Sequence, residues 1–183
     1  MRAPHIKIVF GGPSARPELF ALSPYPAATK CIDALVVGEG EASFPELIRA
    51  WRADRPAASV AGLAVPNGPI FVKTTARDPI ADLDTIPTPH QYGMAPLGVT
   101  AHLEPFRGCP MSCMVCQWGV QDGRRAMSAE AIKKELRAFK ESKATGLYLV
   151  DAGLNLNKRA FKALWEAEQE IGFIRDTELT CEV

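Results

Sequence analysis

Three cysteines, Cys109, Cys113 and Cys116, fall within eight consecutive positions of the chain. That spacing constrains the local fold more than any other feature of the sequence. Thiolates are soft ligands that favour iron–sulfur clusters, zinc or copper, and three so close together reach one metal centre only if the loop between them wraps it. Gly108 and Pro110 suit such a wrap. A structural zinc site usually takes four protein ligands, commonly as two pairs, and no second Cys or His pair follows here. A cubane held by three thiolates keeps one iron open for chemistry. The chain has five cysteines, an odd number with three clustered, which argues against a disulfide framework and for a metal or redox site in a reducing compartment.

Lys plus Arg equals Asp plus Glu at 21 each, so no electrostatic footprint attracts nucleic acid or an anionic membrane surface. No apolar run approaches the roughly 18 residues of a membrane span, and the segment before Gly11 has no signal-peptide pattern. Cytoplasm is the expected location.

The chain alternates strand and helix signals, which predicts an α/β fold. Strands are expected at His5–Phe10, ending in Gly11-Gly12-Pro13, and at Asp33–Val37, ending in Gly38-Glu39-Gly40-Glu41. Ser43 with Glu46 three residues on reads as a capping box, and Leu47, Ile48 and Trp51 follow at helical spacing. Residues 62–65 and 70–73 flank a Pro-Asn-Gly-Pro turn and read as a small β-hairpin. From residue 77 to 97 Pro and Asp abound without a sustained period, which reads as a linker between a domain at 1–76 and another at 98–183. The second is predicted as strand 99–103, the cysteine loop, helix 129–142 capped by Ser128, strand 146–150, helix 158–170 and strand 178–183. A βαβαβ order implies parallel strands. Three strands with helices on one side leave apolar faces open, so the sequence reads as a fragment of a larger fold.

The cysteine spacing, in a loop after the first strand of a parallel βα series, resembles the radical S-adenosylmethionine (SAM) superfamily. The preceding Arg107-Gly-Cys-Pro110 and the following Gln117-Trp118-Gly119 are similar to its subgroup with an N-terminal cobalamin domain. Val115 departs from the aromatic residue usual before the third cysteine. The resemblance implies the C-terminal part of a Rossmann-like cobalamin-binding domain, the hairpin and linker, and then the first three βα units of a partial TIM-type barrel. It implies that Cys109, Cys113 and Cys116 ligate a [4Fe–4S] cluster whose open iron binds SAM, giving a 5′-deoxyadenosyl radical. Methylation of a carbon or phosphorus centre is the leading activity, with oxidative cyclisation the alternative. A remnant that holds cluster or corrin without turnover is the reading from another class. Implied partners are a small-molecule or peptide substrate and a low-potential electron donor of flavodoxin or ferredoxin type, with no nucleic acid and no membrane.

Further site residues follow from the same resemblance. Asp151 and Gly153 stand where the second barrel strand reaches the catalytic rim, and with Glu182 they are candidates for holding SAM, although the strict Gly-Gly-Glu motif is absent. A turn cap is the competing role for Asp151, and a surface or core glutamate for Glu182. Gly11, Gly12, Gly38, Glu39, Gly40 and Glu41 are candidates for lining cobalamin, against the plainer reading of strand-to-helix turns. The Asp-x-His-x-x-Gly element of other cobalamin domains does not occur. Glu39 and Glu41 would repel a pyrophosphate, which excludes nicotinamide dinucleotides. Arg124 and Arg125 read as solvated. His5, His90 and His102 have no partner at catalytic spacing and are assigned no role, with His102 expected in the interior. Cys31 and Cys181 read as ordinary small apolar residues.

Overall fold

The structure is a computed structural model that describes residues 5–111, 113, 114, 116 and 125–183. Val115, Trp118 and Arg124, considered above, lie outside those residues. The chain divides into two compact units, Met1–Ile80 and Ala81–Val183.

The first unit is built on a four-stranded sheet, β1 (Val9–Phe10), β2 (Ala34–Val36), β3 (Leu63–Asn67) and β4 (Ile70–Lys73), in that spatial order. β1 and β2 are parallel, while β2–β3 and β3–β4 are antiparallel, with Leu35 opposite Ala64 and Asn67 opposite Ile70. The hairpin is therefore not a separate ornament but half of the sheet. Gly68, at φ 60°, makes its tight turn. β2 is buried on both faces: Ala34 and Val36 pack with Leu47 and Ala50 of helix α2 (Gly40–Arg52), and Leu35 packs with Ala64 and Phe71 beside Phe20 of the short helix α1 (Pro17–Phe20). That double burial explains its unbroken apolar run.

Helix α2 starts four residues earlier than the capping-box signal at Ser43 indicated. Gly38, at φ 81°, turns the chain sharply out of β2, so the extended Glu39 takes the N-cap position and Gly40 and Glu41 enter the first turn. Ser43 lies inside the helix and is fully buried, and Glu46 pairs instead with Arg77. β1 and β2 are also shorter than the apolar runs around them.

The second unit carries a parallel sheet in the order β5 (Thr100–Leu103), β8 (Gly146–Leu149), β9 (Glu178–Thr180). Helices α3 (Ala129–Glu141) and α4 (Lys158–Ile171) connect the strands and pack on one another over one face. Ala101, Leu103, Leu147 and Leu149 meet Ile132, Leu136, Phe139 and Leu164 in a single core. Complete burial of each large side chain there contributes roughly 1.5–3 kcal/mol. The Ser128 hydroxyl accepts from the Ala131 amide at 3.1 Å, the cap the sequence signalled, and Asn157 caps α4 in the same way. Ser128→Ala is expected to destabilise the unit by about 1 kcal/mol in urea unfolding, because the first turn of α3 loses a side-chain acceptor.

The division between the units falls inside the stretch read as a linker, and its later part is tied to the second unit. Leu83 is buried in that core, and the Asp84 carboxylate accepts from the Ser128 amide at 2.8 Å. Thr88 and Gln91 both donate to Glu135 of α3. β9 ends at Thr180, short of the expected Val183.

Candidate functional site

The described residues leave the opposite face of the second sheet uncovered, and period-2 alternation sorts its residues. The register aligns Thr100, Gly146 and Glu178 in one row and His102, Tyr148 and Thr180 in the next, all on the face away from the helices. His102, expected in the interior, is exposed, its ring tilted against Tyr148 with centroids 5.6 Å apart.

The cysteine loop leaves the C-terminal end of β5. Two short strands clasp its base: β6 (Phe106–Arg107) pairs antiparallel with β7 (Arg125–Ala126), Phe106 opposite Ala126. Phe106 is 1% exposed and anchors the clasp, and the Met127 amide donates to the Pro105 carbonyl at 2.9 Å. The guanidinium of Arg107 pairs with Glu104 at 2.8 Å. Gly108 then adopts φ 93°, a left-handed turn that a Cβ would strain, and the chain enters the loop at Cys109. Cys109 is half-buried, and its sulfur accepts from the Met111 amide at 3.4 Å. Cys113 and Cys116 are exposed, with the Cys116 amide donating to the Cys113 carbonyl at 3.2 Å. All are free thiols. Among the described residues no three His, Cys, Asp or Glu side chains converge on a metal position. The donor set itself, three free thiols beyond a clasped base, suits a soft cluster with one iron left for another ligand.

At the end of β8 the chain turns through Asp151 and Gly153. Asp151 is 4% exposed. One carboxylate oxygen, Oδ1, accepts from the Gly153 amide at 2.9 Å, the turn-capping role weighed from sequence. The other, Oδ2, is buried without a hydrogen-bond partner among the described residues. Gly153 sits at φ 145°, and a Cβ there would come within 3.1 Å of Leu156 Cδ1. The Leu154 amide donates to the Glu182 carbonyl at 2.9 Å, which ties this rim to the chain beyond β9. Glu182 itself is exposed.

Burial raises the Asp151 carboxyl above the ordinary aspartate value; the Gly153 amide opposes this and the charge of Glu182 adds to it. A raised folded value means that the folded chain holds the proton more tightly than the unfolded chain. The resulting stabilisation is full below the unfolded value and is lost as pH rises through the folded value. In calorimetric melts the wild-type chain should therefore lose stability across that window. Asp151→Asn, which keeps an oxygen for the Gly153 amide, should flatten the dependence and be the more stable form at neutral pH.

In the first unit, the loops after β1 and β2 lie at the same end of the sheet, since those strands are adjacent and parallel. Gly12 and Gly38 have positive φ and open space where a side chain would stand, and Gly11 meets only Val36 Cβ at 3.7 Å. Gly40 and Glu41 belong to the first turn of α2, and the Glu39 carboxylate accepts from the Ile80 amide at 2.7 Å.

Sequence reasoning missed Glu135 and His90. Glu135 is 1% exposed although charged. Its position among Ile132, Leu136 and Phe139, on the apolar stripe of α3, is the signal that marks it. His90 stands edge-on to Phe139, centroids 4.7 Å apart, and burial lowers it below the ordinary histidine value.

No family model matches the chain. It is 32% identical over 174 residues to a 2-(S-pantetheinyl)-carbapenam-3-carboxylate methyltransferase of Streptantibioticus cattleyicolor, covering 86% of this chain and 25% of that protein. It is 30% identical over 190 residues to the cobalamin-dependent radical SAM methyltransferase TokK of Streptomyces tokunonensis, covering 93% and 27%. An anaerobic magnesium-protoporphyrin IX monomethyl ester cyclase of Cereibacter sphaeroides is 31% identical over 142 residues, covering 71% and 23%. The chain thus spans about a quarter of the length of these relatives. Its fold is similar to that of the radical SAM methyltransferase TsrM from Kitasatospora setae, with TM-score 0.64 and 18% identity over 94% of this chain and 36% of that one. With the cysteine motif and the parallel βαβαβ unit that presents it, these likenesses place the chain in the family of cobalamin-binding radical S-adenosylmethionine proteins.

Proposed function

We propose that the chain is the cofactor-bearing part of a cobalamin-dependent radical SAM methyltransferase. The observation that carries this reading is the clasped loop of Cys109, Cys113 and Cys116 at the C-terminal end of β5, in a chain whose relatives include such methyltransferases over most of its length. In this reading the second unit supplies the first three βα units of a TIM-type radical SAM barrel. The first unit is the C-terminal part of a Rossmann-like cobalamin domain.

The three thiolates hold a [4Fe–4S] cluster, and Asp151, the backbone at Gly153 and Glu182 receive the amino end of SAM. The orphaned Oδ2 of Asp151 supports this role, since a buried oxygen without a donor gains most from an ammonium group. Gly11, Gly12 and Gly38 let the corrin or its tail approach the backbone. Gly40, Glu39 and Glu41 act at one remove, by fixing the start of α2 beside that loop. When bound, the cluster and SAM supply radical chemistry and cobalamin supplies methyl transfer. The protein's part is to position these groups and exclude water. A small-molecule or peptide acceptor, a low-potential protein electron donor and a cytoplasmic setting complete the proposal. No helix among the described residues is long and apolar enough to cross a membrane.

The test is to reconstitute the chain anaerobically with iron, sulfide and hydroxocobalamin, then add reductant and SAM deuterated in its methyl group. Retained cobalamin carrying the labelled methyl is the expected result. Failure to retain cobalamin contradicts the methyltransferase reading. The cyclase relative favours a second reading, which would give 5′-deoxyadenosine without labelled methylcobalamin.

A further inference from the structure

A cavity of about 430 Å³ opens beside β5 in the second unit. That is within the usual range for small-molecule sites, which runs from about 300 to 1,000 Å³. One wall is the strap of residues 83–90, which contributes Leu83, Ile86 and Pro89; another is the clasp, through Arg107 and Met127. The cavity therefore lies against the clasp of β6 and β7 from which the cysteine segment departs. The cofactor roles proposed above make no use of it.

Its polar groups define what it accepts. Arg107, the one lysine or arginine among the described residues of the lining, is paired with Glu104. Glu135 takes hydrogen bonds from Thr88 and Gln91, both neutral donors. Burial lowers His90 below the ordinary histidine value, against the opposing charge of Glu135, and so favours the neutral ring. Among the described residues of the lining, a carboxylate or phosphate would find only the ion-paired Arg107 and would face the acidic side chains of Glu104 and Glu135. An uncharged ligand meets mainly apolar walls. His90 and His102 add flat imidazoles, each held by a ring neighbour, Phe139 and Tyr148 respectively. A neutral imidazole offers one donor and one acceptor in a fixed plane.

We propose that this cavity holds the uncharged, planar, largely apolar flank of the methyl acceptor, with His102 as its hydrogen-bonding contact. The assignment of that ligand as the acceptor rests on the methyltransferase reading. Remote binding of a non-reacting flank is how an enzyme orients the reacting end of its substrate.

The experiment uses the whole chain carrying ¹³C-methyl methionine, without cluster or cobalamin. The Met127 methyl is assigned with Met127→Leu, and Met94 and Met114, both exposed, serve as internal references. Indole is titrated as the neutral planar probe and indole-3-acetate as its anionic counterpart. Indole should shift Met127 saturably without moving Met94, and indole-3-acetate should bind at least roughly tenfold more weakly, as expected where a charge must be desolvated unpaired. Ile86→Trp, which fills the space, should abolish the shift. His102→Leu should weaken indole roughly three- to tenfold, the range for loss of one hydrogen bond, and leave toluene unaffected. Should Ile86→Trp fail to fold, the His102→Leu comparison decides. Absence of a saturable shift, or equal response to both indoles, overturns the proposal. Because the measurement needs no iron, its failure beside a chain that still assembles a cluster would leave the methyltransferase reading standing.

Discussion

Cys113→Ala is expected to abolish cluster assembly: anaerobic reconstitution should load about four irons on the wild-type chain and few or none on the variant. The loop offers only three thiolates, and one iron already lacks a protein ligand, so removing another leaves two irons without protein ligands. Cys109→Ala and Cys116→Ala should behave alike. Cys31→Ala and Cys181→Ala are the internal controls. Cys31 lies in the first unit and Cys181 packs against the core of the second, and neither should change the iron content. If all five variants lost iron equally, the loop would have no special standing. If none did, the thiols would be ordinary surface groups.

Gly62→Ala is expected to destabilise the first unit by about 2–5 kcal/mol in urea unfolding. Two effects add there. Gly62 has φ 78°, a left-handed conformation that a Cβ strains by roughly 1–2 kcal/mol. The new Cβ would also stand inside the contact distance of Ser43 Oγ, which is fully buried in α2, and 3.1 Å from Arg77 Cβ. Overpacking of this kind costs about 1–3 kcal/mol. The backbone cannot easily step aside, because the Gly62 amide donates to Thr75 at 2.8 Å and its carbonyl accepts from Val37 at 2.9 Å. Ser43→Ala in the same chain should recover the overpacking and leave the backbone strain. Gly68→Ala separates the two causes from the other side. It has φ 60° but nothing within 4 Å of a Cβ, so it should show the strain alone.

Ser43 also shows where sequence reading fails and why. Ser43 and Glu46 satisfy the capping-box pattern, yet the helix begins at Gly40, because Gly38 can turn out of β2 with positive φ and release Glu39 as the cap. The pattern at Ser43 is met by chance; its small side chain is needed to fit beside Gly62. The elements of the second unit were legible because their signals are long. Ile132, Leu136 and Phe139 repeat at helical spacing over α3, Ser128 stands at its start, and the apolar run of β8 is bounded by turns. The clasp of β6 on β7 carried no such signal, since two-residue strands are too short for any period, and its partners lie far apart in sequence. The strap was read as a linker because Pro and Asp dominate it. Its attachment depends on Glu135, a residue whose burial only the tertiary structure reveals.

For the candidate site, the three cysteines and Asp151 could be proposed from the sequence because their chemistry is tied to position in the chain. His102 was not, because the face a strand residue occupies depends on which side the helices cover. The face of His102 also differs from the apolar one expected of an open sheet, since His102, Tyr148 and Thr180 form an exposed polar row on it.

The most direct test of the account is electron paramagnetic resonance of the anaerobically reconstituted, reduced chain, recorded with and without SAM. The account predicts a [4Fe–4S] signal whose shape changes on adding SAM, as the amino acid end of the cofactor takes the open iron. A chain that binds zinc in place of iron, or a cluster signal indifferent to SAM, would contradict it.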